Sequence, residues 1–233
     1  MKGKMFMYKY MYEDIINIIL ASAICAIAFS IFNFEKIFLY FLFILFFFLL
    51  NFFSKYFFAK ILGFDIKSKF LAIGRYWFGD QYKLKFPIPV WIFVFLISFI
   101  TFGAIKLFTV IGFEYKENIE RVKRKFEYAE YDITKISIIS LLICFFITII
   151  LFYLHKDFAL IGIWFVLTNV LPFGSLDGAR IFYSNWIIWF FYFTFFFFTF
   201  ILINLANYFL SIFFALILAC CVGLYLLYKY LNK

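Results

Sequence analysis

The sequence predicts an all-α polytopic membrane protein: about six transmembrane helices, a re-entrant hydrophobic hairpin and a small interfacial β element. Three observations carry that expectation. Mean hydropathy is +1.03 and 67% of the residues are hydrophobic, far outside the range of a soluble domain. The apolar residues fall into several long runs, some as long as the roughly 20 residues a helix needs to cross a bilayer. The Lys and Arg residues cluster in the linkers beside those runs.

In chain order, a basic start (Lys2, Lys4, Lys9) leads into Ile15 to Asn33, the first crossing. No small-residue cleavage site follows it, so the expectation is a retained helix rather than a cleaved signal. A turn at Glu35 and Lys36 precedes Ile37 to about Leu62, whose last third carries Asn51, Ser54, Lys55 and Lys60. Asn51 and Lys55 are one turn apart and so project from one face. Phe64 to Phe86 mixes polar and aromatic residues around Gly74 and Gly79, which predicts short strands or a hairpin such as Lys69 to Phe78, ended by Pro87 and Pro89. Val90 to Phe113 is apolar again, with Gly103 and Lys106 near its middle. Glu114 to Lys135 is a charged linker whose run Arg121-Val-Lys-Arg-Lys125 reads as a solvated face at the membrane surface.

Ile136 to Leu154, Phe158 to Leu171 with a continuation to Tyr183, Trp186 to Ile203, and Tyr208 to Tyr228 complete the apolar segments. The short loop Asn204 to Asn207 predicts antiparallel neighbours. The chain thus reads as one membrane domain, 1–233, in five stretches: the first helix (1–35), the second (36–63), interfacial linkers with the re-entrant segment (64–135), core helices (136–183) and two C-terminal helices (184–233).

Charge orients the arrangement. The formal net charge is +9, but its placement beside membrane segments suits anionic lipid headgroups and gives no sign of nucleic-acid binding. If Val90 to Phe113 crosses fully, the two basic linkers fall on opposite sides and the charge bias vanishes. If it dips and returns, the N-terminus, both linkers, Arg180 and the C-terminus share one side, leaving Lys36 and Lys156 on the other. The positive-inside rule selects the second arrangement: a multi-pass protein of the cell membrane with both termini cytoplasmic. The 43 Phe residues read as the apolar choice of an AT-rich genome and give no functional signal. Cys25, Cys144, Cys220 and Cys221 lie in apolar segments without metal-ligand spacing and are expected to be small buried hydrophobes.

One stretch departs from all this: Asn169-Val-Leu-Pro172-Phe-Gly174-Ser-Leu176-Asp177-Gly178. A membrane helix must break here. Pro172 removes an amide donor, Gly174 and Gly178 loosen the backbone, and Asn169 is expected to bond carbonyls that the break leaves free. Asp177 follows. An ionisable group at membrane depth costs on the order of 2.5 kcal/mol or more, so it needs a partner, a wet cavity or a metal.

The pattern Asn-x-x-Pro-x-x-x-Leu-Asp-Gly resembles the second signature of the site-2 protease family of intramembrane zinc metalloproteases. The family's first signature, H-E-x-x-H, stands near the end of an earlier helix, before an Ala-Lys and a Gly-hydrophobic step. Asn51 to Gly63 is similar to that frame, with Asn51, Phe52 and Lys55 at the positions of His, Glu and His. Asp132 to Ile138 looks like the start of the family's middle core helix, without its Gly-Pro pair. The resemblance implies a site-2-protease-like core in which Asp177 stands at the third zinc ligand and Asn169 contacts substrate helices that unwind and add an edge strand beside the cleft.

The chemistry does not follow the frame. Zinc hydrolysis needs three protein ligands, an open position and a general base. The only histidine, His155, lies in a loop predicted on the side opposite Asp177, and no acid occurs between Lys36 and Asp65. The expectation is a catalytically degenerate homologue without catalytic residues, cofactor or metal, Asp177 being the ligand if any metal binds. Two readings of the charges stay open. In one, Lys55 and Asp177 form an ion pair completed by Asn51 and Asn169, with Arg180 as the competing partner. In the other, Lys55 snorkels to the headgroups and Asp177 is hydrated or held by backbone amides.

The function this implies is a pseudo-metalloprotease that binds a membrane client or serves as a subunit of a membrane complex. The alternatives are an active zinc metalloprotease with displaced ligands, and a small transporter or channel built on the broken helix.

Overall fold

In the computed structural model, residues 2–75, 83–117, 129–203 and 208–232 are described. The chain divides into two compact units, Met1–Lys125 and Phe126–Lys233.

In the first unit, α1 (Lys2–Phe29) and α2 (Ile37–Leu62) pack together across a short 3-10 turn, Phe34–Lys36. Small buried residues on α1, among them Ala21, Ser22, Cys25 and Ala26, leave room for its neighbours to approach closely. α2 ends where Gly63 takes a left-handed conformation and its amide reaches the carbonyls of Ala59 and Lys60, a conformation that suits glycine. Its buried face mixes Ile44, Phe47, Phe48, Phe52 and Ala59 with polar residues. Asn51 and Lys55 are buried while Phe46, Phe53, Phe57 and Ile61 are exposed, the pattern expected where the solvent is lipid.

β1 (Phe64–Phe70) follows α2 directly and pairs antiparallel with β4 (Ile111–Glu117), from Phe64 opposite Glu117 to Phe70 opposite Ile111. A second two-stranded sheet joins β2 (Ala72–Arg75) to β3 (Lys83–Pro89). Pro87 and Pro89 do not end this element, contrary to the sequence expectation. They lie within β3, where a strand with one neighbour has a free edge that tolerates a missing amide. Within Lys69 to Phe78, where short strands or a hairpin are expected, β1 ends at Phe70 and β2 begins at Ala72, and residues 76–82 lie outside the described part.

Segment 90–110 turns back on itself. Val90 N donates to Leu71 O (2.9 Å), and Leu71 N donates to Val110 O (3.0 Å), so the excursion leaves and returns at one residue. Between them come α3 (Trp91–Ile100) and a reversal at Phe102 and Gly103, with φ of 52° and 76°.

In the second unit, α4 (Ala129–Leu154) packs on α5 (Lys156–Val170) and on α6 (Asp177–Ser184), and α7 (Trp186–Leu202) packs on both α5 and α6. α8 (Tyr208–Leu231) lies against α7. α4 is helical from at least Ala129, about two turns ahead of the apolar run at Ile136, and Glu130 and Asp132 lie in that stretch. Asn185 caps α7, its Oδ1 accepting from the amides of Ile187 (3.0 Å) and Ile188 (3.1 Å). Phe152, Ala159, Ile163 and Ile203 form a buried cluster in this unit. The basic run Arg121–Lys125 and the loop 204–207 lie outside the described residues.

Four helices among the described residues are long and apolar enough to cross a membrane: Met11–Phe29, Phe34–Leu62, Ala129–Leu154 and Phe209–Leu231. Trp91–Ile100 and Trp186–Leu202 are shorter apolar helices. The chain is a largely helical multi-pass membrane protein. Cys25 and Cys144 are buried as expected, but Cys220 and Cys221 are exposed. They lie on α8, an outer helix whose open faces carry apolar residues such as Leu216, Ile217 and Leu224.

Candidate functional site

The first unit holds the three α2 positions of the zinc-protease frame. Asn51, Phe52 and Lys55 are all buried, with at most 2% of their surface exposed. Rings from β4 and from the chain before it reach this face of α2. Phe113 stacks on Phe52, ring centroids 6.1 Å apart, and its ring lies 4.2 Å from Lys55 Nζ. Phe108 packs edge-on against both Phe48 and Phe29. A cation over an aromatic face gains about 2 kcal/mol when desolvated, which helps to hold a lysine inside a membrane helix. Among the described residues, no donor reaches the buried side-chain oxygen of Asn51.

The second unit holds the break. α5 ends at Val170, and Leu171 is extended, as the residue before a proline prefers. Pro172 follows, Phe173 N donates back to Leu171 O (2.9 Å), Gly174 is left-handed, and Leu176 N donates to Phe173 O (3.1 Å) before α6 begins at Asp177. Gly178 seats α6 against the end of α5. A Cβ there would stand 1.7 Å from Val170 O and 2.7 Å from Leu171 O, so no side chain fits. Asp177 is buried in the first turn of α6, where the helix dipole favours a carboxylate. Arg180 lies one turn further on, and its main-chain carbonyl is 3.5 Å from Thr134 Oγ1 on α4.

Asn169 does not cap the break, contrary to expectation. Its Nδ2 donates to Phe165 O within its own helix (2.9 Å), because that carbonyl lies on the same face one turn back. The free carbonyl of Val170 is instead taken by Trp189 Nε1, at 2.8 Å from α7. His155 precedes α5 at the end away from Asp177, and the 15 residues of α5 separate them by about 22 Å.

The chain matches no family model, no curated protein and no solved structure. The likeness to the site-2 proteases therefore rests on the sequence frames around Asn51 and Asn169. Lys55 belongs to the first unit and Asp177, Asn169, Pro172, Gly174, Leu176, Gly178 and Arg180 to the second.

The donor set does not fit zinc. An amide, a phenyl ring and an ammonium occupy the frame positions of the two histidines and the glutamate, and the buried charge at Lys55 repels a divalent cation. Among the described residues, no group of three or more His, Cys, Asp or Glu side chains is placed to hold a metal ion. No step through zinc can be written for these residues. What α2 offers is hydrogen-bonding capacity and one positive charge beneath an aromatic lid, an arrangement suited to binding.

Two parts of this arrangement were not apparent in the sequence. Phe113 is one of 43 phenylalanines and only strand pairing brings it to α2. Trp189 had a faint signal, since a buried indole needs an acceptor.

Proposed function

We propose that this chain is a non-catalytic membrane protein of site-2-protease type, which binds a membrane client or serves as a subunit of a membrane complex. One contrast carries the reading. The helix break is built to a tolerance that only Gly178 meets, while the face of α2 that would carry ligands and base presents Asn51, Phe52 and Lys55, sealed by Phe113. A binding protein derived from such a protease keeps the scaffold and loses the metal. On this reading the client contacts Asn169 and the Pro172 to Gly178 turn. The charge bias places both termini on the cytoplasmic side of the cell membrane.

Affinity purification of the tagged chain from native membranes in mild detergent tests it. Recovery with one stoichiometric membrane partner, lost on changing residues of the break, is the expected result. Stoichiometric zinc with peptide cleavage that disappears in Asp177→Ala would replace this reading with an active protease using displaced ligands. Solute flux in proteoliposomes would replace it with a transporter. Purification as a lone chain would count against client binding.

A further inference from the structure

The excursion from Val90 to Val110 reaches farther than its short helix suggests. Its foot is Leu71, the residue after β1. β1 is fastened to the first turns of the α1 span: Asp14 Oδ1 accepts from Ser68 N and Ser68 Oγ, both at 2.6 Å, and Asn17 Nδ2 donates to Ser68 Oγ at 3.1 Å. The tip is fastened to the other end of the same helix. Ser98 Oγ donates to Ala28 O at 2.6 Å, and the ring of Phe32 lies 6.1 Å from that of Phe99 and 5.3 Å from that of Phe102. Between Asp14 and Ala28, α1 rises about 21 Å. β1 and α3, end to end, thus run the length of the apolar span Met11–Phe29.

The tip carries no charge from Phe99 to Ile105. Phe99, Ile100 and Phe102 are 63%, 70% and 77% exposed, and Phe34 and Phe38 in and beside the α1–α2 turn are exposed as well. Phe102 is held at φ 52°, a backbone state that bulky residues avoid, to present its ring outward. The nearby hydroxyls are already used, Thr101 Oγ1 on Ile97 O (2.6 Å) and Ser98 Oγ on Ala28 O. The patch therefore offers area and no directional donors from these side chains, which suits acyl chains better than a protein partner.

We propose that this tip, with the α1–α2 turn, is a lipid anchor seated at the boundary of acyl chains and headgroups in the leaflet opposite the β1–β4 sheet. The excursion then reaches across the bilayer and returns. Glu35 and Lys36 in the adjoining turn mark the polar side of that boundary. Lys106 Nζ donates to Gly103 O at 3.1 Å, lending its aliphatic stem to the same surface.

Single substitutions in the otherwise native chain test it: Phe102→Cys, with Glu35→Cys and Lys116→Cys as markers of the two sides. Sealed vesicles of each orientation are exposed to a membrane-impermeant maleimide, with the unsubstituted chain as blank. Phe102→Cys is expected to label from the side that labels Glu35→Cys and to be protected from the side that labels Lys116→Cys. Labelling from the Lys116→Cys side, or from neither side, overturns the anchor. Ala104→Cys, exposed in the same reversal, is read identically if Phe102→Cys does not fold.

Discussion

Gly178→Ala tests whether the break is held by steric fit. The added methyl would stand 1.7 Å from Val170 O, 2.1 Å from Val170 C and 2.7 Å from Leu171 O. All three neighbours are main-chain atoms, so no rotamer change relieves the clash. Restoring ordinary contact requires α6 to move from α5 by about 1.5 Å, and a shift of that kind in a close-packed interior costs about 3 kcal/mol. Part of that shift is carried to Asp177, the preceding residue. Two other glycines serve as internal controls. Gly174→Ala strains a left-handed residue and costs about 1 kcal/mol. Gly223→Ala meets only the Phe191 ring at 3.5 Å and, in a helix interior, gains up to about 1 kcal/mol. Thermal unfolding of the three purified variants in one detergent should rank Gly178→Ala far below Gly174→Ala, and Gly223→Ala at or above the native chain. Gly178→Ala unfolding with the native chain would refute the reasoning, because it would mean that α6 does not rest on the carbonyls that close α5.

The contact between Lys55 and Phe113 should appear in a double-mutant cycle of Lys55→Met and Phe113→Leu as a coupling of about 1–2 kcal/mol, measured by unfolding in detergent; additivity would remove the cation–ring contact from the account. Trp189→Phe keeps the ring packing but leaves Val170 O without its donor, and should cost about 1–3 kcal/mol by the same assay. A native-like Trp189→Phe would mean that another donor reaches that carbonyl.

The sequence carried what is local and lost what is not. The helix over Ile37 to Leu62 could be read from length, apolar content and the closing Gly63, and the break could be read from Pro172, Gly174 and Gly178 within one short stretch. The turning back of Val90 to Phe113 was legible too, because charge asymmetry and Gly103 both pointed to it. The pairing of β1 with β4 was not, since the two strands are separated by the β2–β3 hairpin and α3, and nothing in either strand names its partner. The position of Phe113 over Lys55 was lost with it. Asn169 was misread for a different reason: an amide one turn from a carbonyl of its own helix satisfies itself there before it serves the break. Cys220 and Cys221 were misread because burial was inferred from an apolar segment, whereas in lipid an apolar face is the one that needs no cover.

The clasp at Leu71 separates the length of the excursion from the register of the strands. A single residue holds both the outgoing and the incoming chain through the peptide groups on its two sides, so residues added or removed beyond it leave the β1–β4 pairing in place and alter the tip's contacts with Ala28 and Phe32 and the entropy of closing the loop. That term grows slowly, by about 0.6 kcal/mol for each doubling of length. The segment is therefore a cassette: its reach can be reset by lengthening or trimming the far end, without renegotiating the face of α2 that Phe113 covers.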